Sequence, residues 1–129
     1  MLRVVFAVLF CVSLPIGAAS QAYQKLSAAE LKSQFYGVTL FGETARSGLP
    51  WRECIAQNGD TQYAFEGEKK AGKLLITDDS RACFIYDSGP SCFDVFKNGD
   101  TYLLTGTADF KVNRVEPGVK ACHESQSIS

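Results

Sequence analysis

The chain has 129 residues, 46% of them hydrophobic and 12% aromatic, with 13 basic side chains against 14 acidic ones. That length allows one domain, and that composition excludes intrinsic disorder and low-complexity or collagen-like repeats. An isoelectric point near 5.8 also removes the electrostatic case for nucleic acid, because phosphate contacts need a concentrated excess of Lys and Arg.

Residues 1–22 read as a signal peptide. Arg3 supplies a basic start, Val4 to Leu14 is apolar apart from Ser13, and Pro15 to Ala22 is a small-residue stretch suited to cleavage. The apolar run is shorter than the ~18 to 20 residues needed to span a bilayer. Cys11 is no lipid attachment point, since Phe10 rather than a small residue precedes it. Cleavage leaves residues 23–129 as a single β-rich domain, with a tail expected to be loose from about residue 124. It removes Arg3 and Cys11, so 12 basic residues face 14 acidic ones, and four cysteines remain: Cys54, Cys83, Cys92 and Cys122. An even count after export predicts two disulfides and a periplasmic or secreted location.

Ser27-Ala28-Ala29-Glu30 is a capping box at the start of apolar periodicity, predicting a short N-terminal helix over about Ala28 to Tyr36. Leu31 and Phe35 share one face, and Gly37 suits the left-handed position that ends a helix. From Val38 onward, strands alternate with turn signals. Asn58-Gly59 and Asn98-Gly99 predict hairpins with two-residue type I′ turns. On that rule Cys54 faces Tyr63, Ala56 faces Thr61 and Arg52 faces Phe65; in the second hairpin Phe93 faces Leu104 and Val95 faces Tyr102. The two share a Cys…Asn-Gly-Asp-Thr echo, which two independent hairpins with the same favoured turn explain. Glu66 to Lys73 reads as a solvated loop. Lys73 to Thr77 and Ala82 to Tyr86 are further strands, joined by a turn at Asp78 to Arg81.

A tight turn at Asp87-Ser88 places Cys83 directly across from Cys92, where neighbouring strands can carry a disulfide. That pairing leaves Cys54 with Cys122, closing about 69 residues and contributing on the order of 4 kcal/mol; the other two connectivities stay open on spacing alone. The fold expected is therefore α+β but mainly β: a short N-terminal helix packed on an antiparallel meander or small barrel, with two disulfides.

Catalytic residues are hard to find. His123 is the single histidine, beside Cys122 near the end of the chain, and the four remaining cysteines are expected to be oxidised. No C-x-x-C pair, phosphate loop or calcium loop is present, so neither a metal nor a cofactor is expected. Asp78 and Asp79 precede Ser80-Arg81 and read mainly as a turn. Trp51, followed by Arg52, stands at a strand entrance; it reads either as the cap of the core or as a half-exposed anchor for a partner. Trp51, Arg52, Asp78 and Asp79 are thus the candidate binding residues of a non-enzymatic module for a protein or cell-envelope partner. An inhibitor of a secreted hydrolase such as lysozyme, and a barrel carrying a small apolar ligand, are the alternatives. No membrane span is expected once the leader is removed.

Leu26-Ser-Ala-Ala-Glu-Leu31, Tyr36-Gly37-Val-Thr39, Gly72 to Asp78, Ala82-Cys83-Phe84 and Cys92-Phe93 form a series. It resembles that of small exported alphaproteobacterial proteins classed as domains of unknown function, with Leu74 standing where those place a tryptophan. The resemblance implies a secreted β-rich fold with a cysteine staple and brings no activity with it. In architecture alone, the expected barrel is similar to periplasmic lysozyme inhibitors.

Overall fold

The computed structural model describes residues 11–13 and 22–124. Most of the expected leader and residues 125–129 of the expected tail lie outside the described residues. Cys11 is exposed and joined to no other cysteine.

The chain enters through a two-residue strand, β1 (Gln24–Lys25), then forms α1 (Ala28–Phe35). The helix is therefore short, as its sequence predicts, but it is not the first element. Ser27 Oγ accepts from the Glu30 amide and the Glu30 carboxylate accepts from the Ser27 amide, each at 3.2 Å, so both halves of the capping box form. Gly37, at φ 70°, makes the left-handed turn that sends the chain into the sheet.

Eight antiparallel strands follow in simple meander order: β2 (Val38–Thr44), β3 (Pro50–Ile55), β4 (Asp60–Phe65), β5 (Glu68–Ile76), β6 (Ala82–Tyr86), β7 (Gly89–Asn98), β8 (Thr101–Thr105) and β9 (Phe110–Pro117). Each pairs with the next, and β9 returns to pair with β2, which closes the barrel. Closure leaves no free edge along the ring of strands, and strand β1 adds onto the far half of β7.

The barrel has two different ends. At one, α1 acts as a plug: Leu31 and Phe35 are fully buried, and the Phe35 ring meets Tyr102 edge-on at 5.4 Å. Tyr102 donates from its hydroxyl to Gln34 at 2.7 Å, and the Ala28 amide donates to Ser80 Oγ at 2.9 Å. The opposite end carries the β2–β3, β4–β5, β6–β7 and β8–β9 connections, and no helix of the described residues covers it.

Register departs from expectation at both Asn-Gly sites. Between β3 and β4 the chain uses a longer loop, in which the Gly59 amide donates to the Ala56 carbonyl, the Ala56 amide donates to the Asp60 carbonyl, and Gly59 takes φ 92°. This is a three-residue loop ending in a left-handed glycine, braced by the Asn58 side chain on Asp60. Its extra residue slides the pairing by one, to Trp51 with Phe65, Glu53 with Tyr63 and Ile55 with Thr61. A one-residue slip exchanges the two faces of a strand. The second hairpin turns on Gly99-Asp100 instead, pairing Val95 with Leu104 and Lys97 with Tyr102. That is a shift of two, so the apolar face survives it.

Residues 66–73 are not a loop. Glu66 and Gly67, at φ 50° and 80°, make a tight two-residue turn, and β5 begins at Glu68. Its first half hides from hydropathy because Lys, Ala and Gly line both faces. Gly72 is required there: a β-carbon would lie 2.6 Å from both the Ile85 carbonyl oxygen and the Tyr86 ring.

Cys83 and Cys92 are cross-strand partners and form one disulfide; Cys54 and Cys122 form the other. The second bond ties α2 (Lys120–Glu124) against the outside of the wall, where Cys122 is buried and the Thr39 hydroxyl donates to the Gly118 carbonyl at 2.7 Å. Cys122 and His123 thus sit in a short helix pinned to the wall.

Candidate functional site

At the open end the interior is not filled. A cavity of about 230 Å³ opens there, bounded at its mouth by Lys70, Ser88, Thr107 and Ala108. Its wall follows from strand alternation, since every second residue of each strand points inward. Six rings stand in an unbroken belt. Tyr86 meets Tyr63 at 6.2 Å between centroids, Tyr63 meets Trp51 at 6.4 Å and Trp51 meets Phe110 at 5.7 Å. Phe110 then meets Phe93 at 5.6 Å and Phe93 meets Phe84 at 6.1 Å, so the belt returns to β6, where it began.

Into this aromatic wall the sequence Trp51-Arg52-Glu53-Cys54-Ile55 inserts an acid. Trp51, Glu53 and Ile55 alternate inward, and Glu53 is only 2% exposed. The Tyr86 hydroxyl donates to its Oε1 at 2.8 Å, while Oε2 is buried without a hydrogen-bond partner. Burial pushes the Glu53 carboxyl up to about 8, a rise that the Tyr86 hydrogen bond offsets only in part. Thr61 acts in the same direction as Tyr86 but at longer reach, for its hydroxyl is also buried with no partner at hydrogen-bond distance. The two tyrosines respond in kind. Burial, with Glu53 nearby, raises Tyr63 to about 12 and Tyr86 further still.

Burial therefore favours the protonated form of Glu53 at neutral pH, with one oxygen unsatisfied. Trp51 Nε1 is buried without a partner as well, so two residues of the wall hold unused hydrogen-bonding capacity. Native interiors satisfy nearly all such atoms, and exceptions concentrate where a ligand or water completes the set.

Gly42 on β2 makes the belt possible. A β-carbon there would run into the Lys111 carbonyl oxygen and lie 2.7 Å from Trp51 Cζ2, and β2 shifts register against β9 at this point. Gly42→Ala is expected to cost about 1–3 kcal/mol in urea denaturation, with a change in Trp51 emission as the ring is displaced.

The candidate residues named from sequence are not brought together. Trp51 lies in the cavity wall but is 7% exposed, which corrects the reading of its ring as a half-exposed anchor. Arg52, its neighbour, alternates to the outer side of the wall. Asp78 and Asp79 occupy the turn after β5, at the plugged end of the barrel, away from the cavity. There the Thr77 hydroxyl donates to Asp79, and that bond, before any other cause, holds the Asp79 carboxyl below its ordinary range. Its geometry is that of a turn brace.

Glu53, Tyr63 and Tyr86 were missed. Their signal is the Trp-x-Glu-x-Ile alternation, visible only once the register places it inward. A second concavity, beside Lys97, Asp100, Tyr102 and Arg114, contains none of the buried atoms without partners. Among the described residues no cluster of three or more metal-ligating side chains occurs, and no helix is long and apolar enough to cross a membrane. No protein-family model, curated protein or solved structure matches the chain.

Proposed function

We propose that the protein is a non-enzymatic binding module that receives a small organic molecule in the open end of its barrel. The observation that carries this reading is the aromatic-walled cavity with the unsatisfied Glu53 carboxyl in its lining. Small-molecule sites combine a largely apolar wall with one or two placed polar groups, and eight-stranded barrels have interiors wide enough to hold one small ligand. At about 230 Å³ the space suits a compact molecule rather than a long lipid chain. Besides Glu53, the ionisable groups in this lining are two tyrosines held neutral and Lys70. Export belongs to the same proposal: residues 1–22 act as a leader, and two disulfides suit an oxidising periplasmic or extracellular setting.

A protein or cell-envelope partner is the second reading. It is favoured by Leu75 and Ile85, 53% and 42% exposed, which stand outward on β5 and β6 near the Cys83–Cys92 bond. Hydrolase inhibition has less support, because Trp51 is buried and Asp78-Asp79 sits in a tight, hydrogen-bonded turn.

Trp51 is the single tryptophan and lines the cavity, so its emission reports occupancy. Titrating small aromatic compounds into the protein is expected to change that emission saturably. Ser91→Phe, which fills the cavity from an exposed position, is expected to abolish the change. An emission unaffected by any compound, or equally affected in Ser91→Phe, contradicts the reading.

A further inference from the structure

We infer that the molecule received by this cavity is an organic ammonium ion, held by the Glu53 carboxylate and the surrounding ring faces. The inference rests on the ligand-binding reading above and names the chemical class. Three observations point to a cation rather than to a neutral or anionic ligand.

The first is the wall. Six aromatic rings surround the space, and ring faces attract a desolvated cation. The second is the acid: among the described residues Glu53 is the one carboxyl in the lining, and its Oε2 has no hydrogen-bond partner among them. An ammonium N–H would satisfy that oxygen directly, with a charge-assisted bond once the carboxyl ionises. The third is the rim. The turns at this end carry Glu66, Asp87 and Asp109 against Arg46, and with Lys70 at the mouth the balance is acidic by one charge.

The groups facing Glu53 leave its proton as the one that moves. Strand β4 presents Tyr63 and β6 presents Tyr86, both kept neutral by burial, and β5 presents Lys70, exposed at the mouth. The lining from β2, β7, β8 and β9 includes Leu40, Phe93, Leu104 and Phe110 and adds no ionisable group. Binding is thus an exchange: the protonated Glu53 carboxyl gives its proton to solvent as the ammonium ion enters, and an ion pair replaces a buried neutral acid. Because burial pushes the Glu53 carboxyl up to about 8, proton release on binding should approach one per site at pH 7.

Phenethylammonium, 2-phenylethanol and phenylacetate share one shape and carry positive, zero and negative charge. Trp51 emission at pH 7 should give phenethylammonium at least tenfold tighter binding than 2-phenylethanol, with phenylacetate weakest. Calorimetry in phosphate and in Tris should show the proton released, and ammonium affinity should rise about tenfold from pH 6 to pH 7. Glu53→Gln, which keeps the shape of the side chain, should bring ammonium and alcohol within about threefold of each other. If the alcohol or the acid binds as tightly as the ammonium ion, or no proton is released, the cation inference is overturned while the cavity remains a binding site. If none of the three compounds binds, this inference and the reading beneath it both fail.

Discussion

Glu53→Gln is expected to raise the unfolding free energy by about 4 kcal/mol at pH 8 and to leave it nearly unchanged at pH 4.5. The sign follows from which state holds the proton. In the unfolded chain Glu53 titrates near 4.5, whereas in the folded barrel burial holds the proton on up to about 8. Between those values the folded state binds more protons than the unfolded one, so stability falls as pH rises. The favourable contribution is complete below the unfolded pKa and is lost by the time pH passes the folded one. Glutamine keeps the Oε1 acceptor for Tyr86 and removes the ionisation. Urea denaturation of both proteins across pH 4.5 to 9 measures the effect, and a difference that does not vary with pH would contradict a carboxyl held protonated in the barrel.

Removing the long-range disulfide with Cys54→Ala and Cys122→Ala together is expected to cost about 4 kcal/mol, and removing Cys83–Cys92 in the same way about 2 kcal/mol less. The sequence separations are 68 and 9 residues, and loop-closure entropy in the unfolded chain grows with the logarithm of that length. Location reinforces the difference. Cys83 and Cys92 already face each other across a hydrogen-bonded hairpin, whereas Cys122 on α2 meets Cys54 on β3 from 68 residues away. Equilibrium denaturation of the two double variants makes the comparison; equal costs would show that α2 docks without its tether.

Local chemistry made part of this molecule readable. The capping box and the Asp87-Ser88 turn depend on residues close in sequence, so α1 and the Cys83–Cys92 pairing follow from short-range rules, and Cys54–Cys122 follows by remainder. Barrel closure was legible only as an alternative to an open meander, because the pairing of β9 with β2 joins segments about seventy residues apart. The site was hidden by a single residue. Asn58-Gly59 suggests a two-residue turn, but Gly59 ends a longer loop, and the resulting slip gives Tyr63 to Glu53 instead of Cys54 and Phe65 to Trp51 instead of Arg52. Asn98-Gly99 errs by two, and there the apolar face is retained. An acid between inward-facing Trp51 and Ile55 is a local conflict with hydrophobic patterning, and such conflicts mark the places where folding rules yield to function.

Protein NMR during titration with phenethylammonium tests the site most directly. Aromatic and backbone shifts should cluster at Trp51, Glu53, Tyr63, Phe84, Tyr86 and Phe110, and should saturate together. Shifts gathered on the outer face of β5 and β6 around Leu75 and Ile85, with the cavity residues unmoved, would contradict a ligand site inside the barrel.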